Sequence, residues 1–364
     1  LFGCIFSYFF LYFERRIIGI DPFYHPDSLH YFSQYELYTR LSFDDSAIQN
    51  LRKYFGSFFS NSLYPSIINL THEIHESITN MKSLKFLHNT FYRYIISVNI
   101  LISLLINLFI IIGYLTTFKE NAYNKKNLII FFIILFLPYK AHLSVNILKD
   151  IIILLPLVIF LTTKKLYSLI IGFMIATPLR YGAIIYYFLF VNFKVLNKKI
   201  FFSVLILSIT ISLILFFRVV YSDYDNTSND LFISIKKFLT LRNEAEMGGR
   251  SFDSIPNFSE YKTGSLIRAL VWPIFFITGS FSLFSDSFFM YLLTAEVIGV
   301  QFLLYFFYKK SIISVNLILV LMIIGVYSNT FTAYFRYAYL AFYLSTLINF
   351  FNLDSSVKIL KKVS

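Results

Sequence analysis

The residue types best suited to chemistry are carboxylates and arginines that lie beside long apolar runs. Asp21 and Asp27 fall in a polar, aromatic stretch, 17–45, which follows a hydrophobic run. A carboxylate in such a place can act as a general base toward a hydroxyl group or hold a divalent cation. The alternative for Asp27 is helix capping, because Pro26-Asp27 also suits the start of a helix over 28–41.

The pair Lys149-Asp150 lies at the start of the apolar run 147–163. One interpretation of the pair is helix capping, because an aspartate near a helix N-terminus interacts favourably with the helix dipole. A charged pair above an apolar run also suits contact with a charged head group. We therefore keep both residues as candidates for a functional site.

Two arginines are predicted at the outward tips of helical hairpins. Arg180 lies in the middle of the apolar stretch 166–193, where Pro178 ends the first arm. Arg336 lies in the predicted turn 329–336, before the last crossing. Arginine at membrane depth is costly, and its guanidinium group binds phosphate with two parallel hydrogen bonds. The two interpretations are recognition of pyrophosphate and a structural role with a carboxylate partner or at the interface.

Composition places the chain among polytopic membrane proteins. Of its 364 residues 57% are hydrophobic and 14% are charged, and the mean hydropathy is +0.67. Soluble domains are about 45–50% apolar and about 25% charged. The net charge of +12 does not indicate nucleic acid, because the lysines fall in short clusters between apolar runs. That pattern is the topology signal of a membrane protein.

Five lysine clusters fix the predicted topology, since positive residues favour the cytoplasmic side. With all five inside, the chain crosses about ten times and forms one membrane domain over 1–364, all-α in class. The clusters are Lys119/Lys125/Lys126, Lys164/Lys165, Lys194/Lys198/Lys199, Lys309/Lys310 and Lys358/Lys361/Lys362.

Two large polar segments are then predicted on the outer face, and short outward hairpins join them there. The first, 14–93, contains amphipathic helices. The second, 221–284, holds Arg250 after two glycines and ends in the apolar segment 265–284. We expect this last segment to re-enter the membrane or to lie along the outer interface. Tryptophan and arginine, here Trp272 and Arg268, are both favoured at such an interface.

A metal site is not predicted. The sequence NLTHEIHE over 69–76 resembles the zinc signature HExxH, but its histidines are three residues apart rather than four. The single cysteine, Cys4, excludes a disulfide within one chain.

Together these features resemble the bacterial surface-polysaccharide polymerases of the O-antigen (Wzy-like) type and, more distantly, the GT-C membrane glycosyltransferases. The first outer loop is longer than in many polymerases and is closer to GT-C. The matching positions are the acidic first loop (Asp21, Asp27), Lys149-Asp150, Leu179-Arg180-Tyr181, Gly248-Gly249-Arg250 and Phe335-Arg336-Tyr337.

The resemblance implies a donor sugar carried on polyprenyl diphosphate, which an acceptor hydroxyl group attacks at the anomeric carbon. Such a site needs cations for the leaving group, a base for the hydroxyl group and aromatic faces for sugar rings. The residues assigned are Arg180, Arg250, Arg336 and Lys149 to the diphosphate, Asp27, Asp21 and Asp150 to catalysis, and Tyr24, Tyr31, Tyr35 and Trp272 to sugar stacking.

The implied partners are the polyprenyl-diphosphate-linked glycan and the lipid bilayer, with a chain-length regulator and a flippase as further candidates. No cofactor is implied, although a divalent cation stays open. The implied location is the bacterial inner membrane, with the active site facing the periplasm. The alternative is a multi-pass transporter or flippase for a lipid-linked sugar or another small solute.

Overall fold

The computed structural model describes residues 9, 88–119, 122–145, 150–165, 167–168, 170–172, 176, 181–190, 258, 264–284, 288–309, 311–328 and 331–352. Its main helices are α1 His88–Phe118, α2 Lys125–Leu135, α3 Pro138–Val145, α4 Asp150–Thr163, α5 Gly264–Thr278, α6 Phe288–Tyr308, α7 Val315–Tyr327 and α8 Phe331–Phe351. Two 3-10 helices, Tyr181–Phe190 and Ser280–Phe284, accompany them, and these ranges contain no strand. The predicted all-α class is confirmed for this part of the chain.

Helix α1 has the polarity of a helix in lipid rather than in water. Its polar residues at a spacing of four, Asn99 and Ser103, are buried, and Asn107 lies on the same stripe. The roughly opposite side is exposed and apolar. This exposed stripe consists of Leu101, Leu105, Leu108, Ile112 and Leu115. A helix with this distribution can satisfy its polar groups only inside the protein.

Three stretches are long and apolar enough to cross a membrane: Val98–Phe118 in α1, Lys125–Leu143 across α2 and α3, and Met290–Tyr308 in α6. Helices α4, α5 and α7 are shorter but also apolar. Together with the composition, they indicate a membrane protein. Helix α8 covers the last predicted crossing, and the remaining predicted crossings lie partly or wholly outside the described residues.

A lysine in the left-handed conformation directly follows three of the helices. Lys119 follows α1 with φ 36°, Lys164 follows α4 with φ 57°, and Lys309 follows α6 with φ 53°. The amides of Lys164 and Lys309 return to carbonyls of the last turn, at 2.8 and 2.7 Å. A cation at this place also suits the negative end of the helix dipole.

These lysine-capped ends lie together at one end of the bundle. A Cβ added at Gly113 of α1 would touch Thr162 of α4 and Phe351 of α8, so the C-terminal parts of these three helices adjoin. The Tyr308 hydroxyl group at the end of α6 donates to Asn127 at the start of α2. The described members of three predicted lysine clusters therefore share one end, which we call the lysine end.

The sequence predicts a turn over 139–146, between the apolar runs 128–138 and 147–163, and this prediction is wrong. Residues Pro138–Val145 form helix α3, which follows α2 after a break at Phe136-Leu137. Proline is favoured at the first position of a helix, where its missing N–H costs nothing, so Pro138 starts a new helix instead of a turn. The result is one apolar path made of two half-helices.

Helix α5 and the following 3-10 helix form a bend beside the middle of α6. Gly279, with φ +68°, makes the bend. The Thr294 hydroxyl group donates to its carbonyl at 3.2 Å, and Gln301 donates to the carbonyl of Ile277 at 3.0 Å. The bend therefore packs on the face of α6 that carries Thr294 and Gln301.

Helix α5 also packs along α7 at close range. A Cβ added at Gly325 of α7 would lie 2.8 Å from the Cα of Ala269 and 2.9 Å from the carbonyl oxygen of Arg268. Both contacts are with backbone atoms, so a side chain there would force the helices apart. Only glycine permits this approach.

We predict that Gly325→Ala destabilises the protein by about 1–3 kcal/mol, the usual cost of overpacking. Gly299 of α6 is the matched control, because an added Cβ there meets no atom within 4 Å. Gly299→Ala should be neutral or slightly stabilising, since alanine favours helix. The free energy of unfolding, measured by denaturant titration in mixed micelles, checks both variants. Equal effects of the two substitutions would contradict the packing described for α5 and α7.

Candidate functional site

A buried ion pair lies at the end of the bundle opposite to the lysine end. The Nε atom of Arg336 on α8 lies 3.3 Å from Oδ2 of Asp150, the first residue of α4. The Asp150 side chain is fully buried, and the Arg336 side chain is 15% exposed. Helix α8 supplies the arginine from its second turn, and the aspartate suits the N-terminus of α4 electrostatically.

A stacked pair of tyrosines lies on one side of the guanidinium group. The Arg336 guanidinium carbon lies 5.4 Å from the centroid of the Tyr337 ring, and its Nη2 lies 3.5 Å from the Tyr337 hydroxyl group. The Tyr337 ring in turn stacks on Tyr327 at 5.5 Å, at the end of α7. The arginine is thus held by a carboxylate on one side and an aromatic ring on the other.

This geometry corrects two expectations. Arg336 is not at a hairpin tip, because α8 already begins at Phe331, within the predicted turn 329–336. Asp150 is fully buried against an arginine, so it has no surface from which to meet an acceptor hydroxyl group. Asp150 is instead the carboxylate partner of Arg336. A carboxylate partner was part of the structural interpretation of that arginine.

Arg268 and Trp272 of α5 are buried, whereas the outer interface was one of the expected places for this segment. Arg268 is 2% exposed and its guanidinium group lies 5.6 Å from the Trp272 ring centroid. The Trp272 ring also packs against Phe331 and Tyr334 of α8 at 5.7 and 5.4 Å. The indole is fully buried, so the predicted stacking of a sugar on Trp272 does not fit this structure.

A carboxylate, Glu296 of α6, lies at the start of the half-helix α3. Its Oε2 accepts the backbone N–H of Tyr139 at 2.8 Å, and its Oε1 accepts the hydroxyl group of Tyr339 on α8. Glu296 and Tyr339 each lie eight residues into their helices, about 12 Å from the helix start. The carboxylate therefore lies well inside the bundle.

A lysine, Lys140, lies on the other side of the same helix break. Its Nζ donates to the Leu135 carbonyl at the end of α2 at 3.3 Å and to the side-chain oxygen of Asn107 on α1. It also lies 5.7 Å from the centroid of the Tyr343 ring. Lys140 is 2% exposed, so its charge is held by an amide, a carbonyl and an aromatic face.

Neither Lys140 nor Glu296 was among the residues predicted for the site. A signal existed in the sequence for each of them. Glu296 is the only charged residue in the run 288–308, and Lys140 is the only one in 128–145. Ionisable residues inside apolar runs usually face the protein interior and mark functional sites.

The remaining predicted site residues lie outside the described residues, so their arrangement stays a prediction. Among the described residues, no group of three His, Cys, Asp or Glu side chains could hold a metal ion. The predicted positions concerned are Asp21, Asp27, Tyr24, Tyr31, Tyr35, Lys149, Arg180 and Arg250.

Comparison with known proteins adds no relative. No protein-family model, no curated protein and no solved structure matches the chain. The described residues themselves define a helical membrane protein with buried charged groups. Such groups lie at the start of α4 and at the break between α2 and α3.

We predict that Asp150 and Arg336 are energetically coupled. Removing one partner leaves a buried charge without compensation, so Asp150→Asn or Arg336→Gln should each destabilise the protein by about 3–5 kcal/mol. The double variant should lose clearly less than the sum of the two losses. Free energies of unfolding in mixed micelles check the cycle. Additive losses would contradict the pairing of the two side chains.

Proposed function

We propose that this protein is a membrane glycosyltransferase of the polysaccharide-polymerase type. It joins polyprenyl-diphosphate-linked sugar units into a surface polysaccharide, such as O-antigen or capsule. The observation that carries the proposal is the Asp150–Arg336 pair, because it places an oriented guanidinium group at the end of the bundle opposite to the lysine end. A lysine-rich topology signal does not account for an arginine at that end.

The leaving group explains why an arginine is required. A diphosphate carries negative charge that must be matched where water is scarce, and the planar guanidinium group matches two phosphate oxygens at once. Asp150 lies 3.3 Å from the Nε atom of Arg336, so the carboxylate faces that side of the guanidinium group. In the proposal Arg180, Arg250 and Lys149 supply further positive charge to the same diphosphate.

The reaction is a displacement at the anomeric carbon. The acceptor hydroxyl oxygen forms a bond to that carbon, and the bond from the carbon to the diphosphate oxygen breaks. The hydroxyl proton passes to a carboxylate of the first outer loop, Asp27 or Asp21 in the proposal. The bond electrons leave with the lipid diphosphate, whose charge the arginines stabilise. Tyr24, Tyr31 and Tyr35 are proposed to hold the sugar rings.

The proposed orientation of the protein rests on its charges. With the lysine end in the cytoplasm, the Asp150–Arg336 pair faces the periplasm of a bacterial inner membrane. Lipid-linked glycans in the outer leaflet then reach the arginine from the side of the bilayer. A chain-length regulator and a flippase are the proposed partners on this face.

A transporter of a lipid-linked sugar or another small solute is the second candidate. It is favoured by the helix break between α2 and α3, which carries Lys140 and Glu296 inside the bundle. Broken helices with charged residues near the membrane midplane are typical of transporters. The two candidates differ at Glu296, because a transported proton or ion needs the carboxylate charge, whereas a capping role needs only its hydrogen-bond acceptors.

For the proposed polymerase, we predict that Arg336→Lys reduces polymer formation at least about tenfold, the scale of one lost charged hydrogen bond. Lysine keeps the charge but loses the planar fork. The assay is the length of polysaccharide ladders from a deletion strain that carries each variant at matched expression. Lys309→Ala, at the exposed lysine end, is the control and should give normal ladders. Normal ladders from Arg336→Lys would remove the main physical support for a lipid-diphosphate substrate.

A further inference from the structure

The two half-helices α2 and α3 expose polar backbone groups where they separate. The last turn of α2 ends in the Leu135 carbonyl, and the first turn of α3 begins with the Tyr139 N–H. Helix ends leave such groups without partners inside the helix, and apolar surroundings make an unpaired group costly. At this break Lys140 binds the Leu135 carbonyl and Glu296 binds the Tyr139 N–H.

The charges of these two side chains match the helix ends that they bind. A helix C-terminus carries partial negative charge, which suits the Lys140 cation at the end of α2. A helix N-terminus carries partial positive charge, which suits the Glu296 anion at the start of α3. The two groups therefore stabilise opposite sides of the same break, and each compensates backbone dipoles that lipid would leave unsolvated.

Glu296 also connects the break to the helix that carries Arg336. Its second oxygen accepts the hydroxyl group of Tyr339, which lies one turn after Arg336 on α8. The Tyr139 ring packs against the Tyr339 ring at 4.6 Å and against the Phe335 ring at 5.0 Å. One carboxylate thus binds α3 and α8 together at the turn of α8 that presents Arg336.

The same carboxylate is linked to Asp150 through the chain. Helix α3 packs against α4, and only four residues separate Val145 from Asp150. A shift or rotation of α3 therefore moves the start of α4, where Asp150 lies. Both members of the Asp150–Arg336 pair are attached to elements that Glu296 holds.

We propose that Glu296 is the positioning residue of the Asp150–Arg336 pair, and that Lys140 secures the other side of the helix break. The charge of Glu296 adds to the stability of the helix start, whereas the positioning depends on the two hydrogen bonds. Glutamine can keep both contacts, because its amide oxygen accepts the Tyr139 N–H and its amide N–H donates to the Tyr339 hydroxyl oxygen. The catalytic consequence rests on the proposed function, whereas the effect on the pair does not. The proposal also separates the two candidate functions, because a transport role for Glu296 requires its charge.

The test measures the coupling of Asp150 and Arg336 in different backgrounds. Asp150→Asn, Arg336→Gln and the double variant are made in the native protein, in Glu296→Gln and in Glu296→Leu. Glutamine keeps an acceptor for the Tyr139 N–H, whereas leucine leaves that N–H and the Tyr339 hydroxyl group unpaired. The measurement is the Tm of the full chain in mixed micelles. The deviation is the difference between the Tm shift of the double variant and the sum of the shifts of the two single variants.

We expect a deviation of about 2 °C or more in the native and Glu296→Gln backgrounds and additive shifts in Glu296→Leu. Gln301→Leu is the matched control, because Gln301 lies on the same helix and binds the Ile277 carbonyl, away from the pair. It should lower the Tm but leave the deviation unchanged. A deviation that persists in Glu296→Leu, or that vanishes equally in Glu296→Gln, would overturn the proposal.

Tyr339→Phe keeps the experiment decisive if Glu296→Leu fails to fold. This variant removes only the bond from Glu296 to α8, and it should reduce the deviation. An unchanged deviation there would overturn the proposal as well.

Ladder formation supplies the catalytic arm of the test. At matched amounts of folded protein, Glu296→Leu should reduce polymer about tenfold, with no further loss when Asp150→Asn is added, and Glu296→Gln should retain normal ladders. Loss of ladders in Glu296→Gln at an unchanged Tm deviation would assign the charge of Glu296 a direct role and contradict a purely positioning one. If the native protein forms no polymer, the proposed function fails, while the Tm deviation still decides the positioning role.

Discussion

Polar backbone groups inside an apolar bundle must find partners within the protein, and the described part of this chain depends on that constraint. Helix α6 supplies partners on two sides. Thr294 and Gln301 bind carbonyls at the bend after α5, and Glu296 binds the first N–H of α3. Residues 294 and 301 are seven apart and share one face of α6, whereas 296 lies about 200° around the helix from 294. One unbroken helix thus supports two interrupted neighbours.

The same constraint explains where charges are found. At the lysine end the charged groups follow helix ends and are exposed, as with Lys164 and Lys309. Inside the bundle the described charged groups have identifiable contacts: Lys140 and Glu296 at the helix break, Asp150 with Arg336 at the start of α4, and Arg268 with the Trp272 ring on α5. The last pair gives the opposite end a chemistry that the lysine end lacks, because its arginine is oriented by a carboxylate and an aromatic ring.

Much of the helical framework could be predicted from the sequence, since α1 and α6 are long apolar runs that end at lysines. The start of α4 at Asp150 also follows from the pattern. The break between α2 and α3 could not, because Pro138 suits a turn and a helix start equally well until its neighbours are known. The depth of Glu296 and the pairing of Asp150 with Arg336 depend on contacts between helices that are far apart in sequence, which periodicity does not contain.

We expect the bundle to be oriented with its lysines on the cytoplasmic side and the Asp150–Arg336 pair facing outward. Cysteine labelling in a Cys4→Ser background tests it directly. Tyr123→Cys reports on the lysine end. Leu283→Cys reports on the opposite end, because Phe281 of the same 3-10 helix packs against Phe331 at the start of α8. Tyr123 and Leu283 are 86% and 83% exposed. In intact spheroplasts, an impermeant maleimide should label Leu283→Cys and leave Tyr123→Cys unlabelled until the cells are lysed. Labelling of Tyr123→Cys from outside, with Leu283→Cys protected until lysis, would show the opposite orientation and place the Asp150–Arg336 pair on the cytoplasmic side.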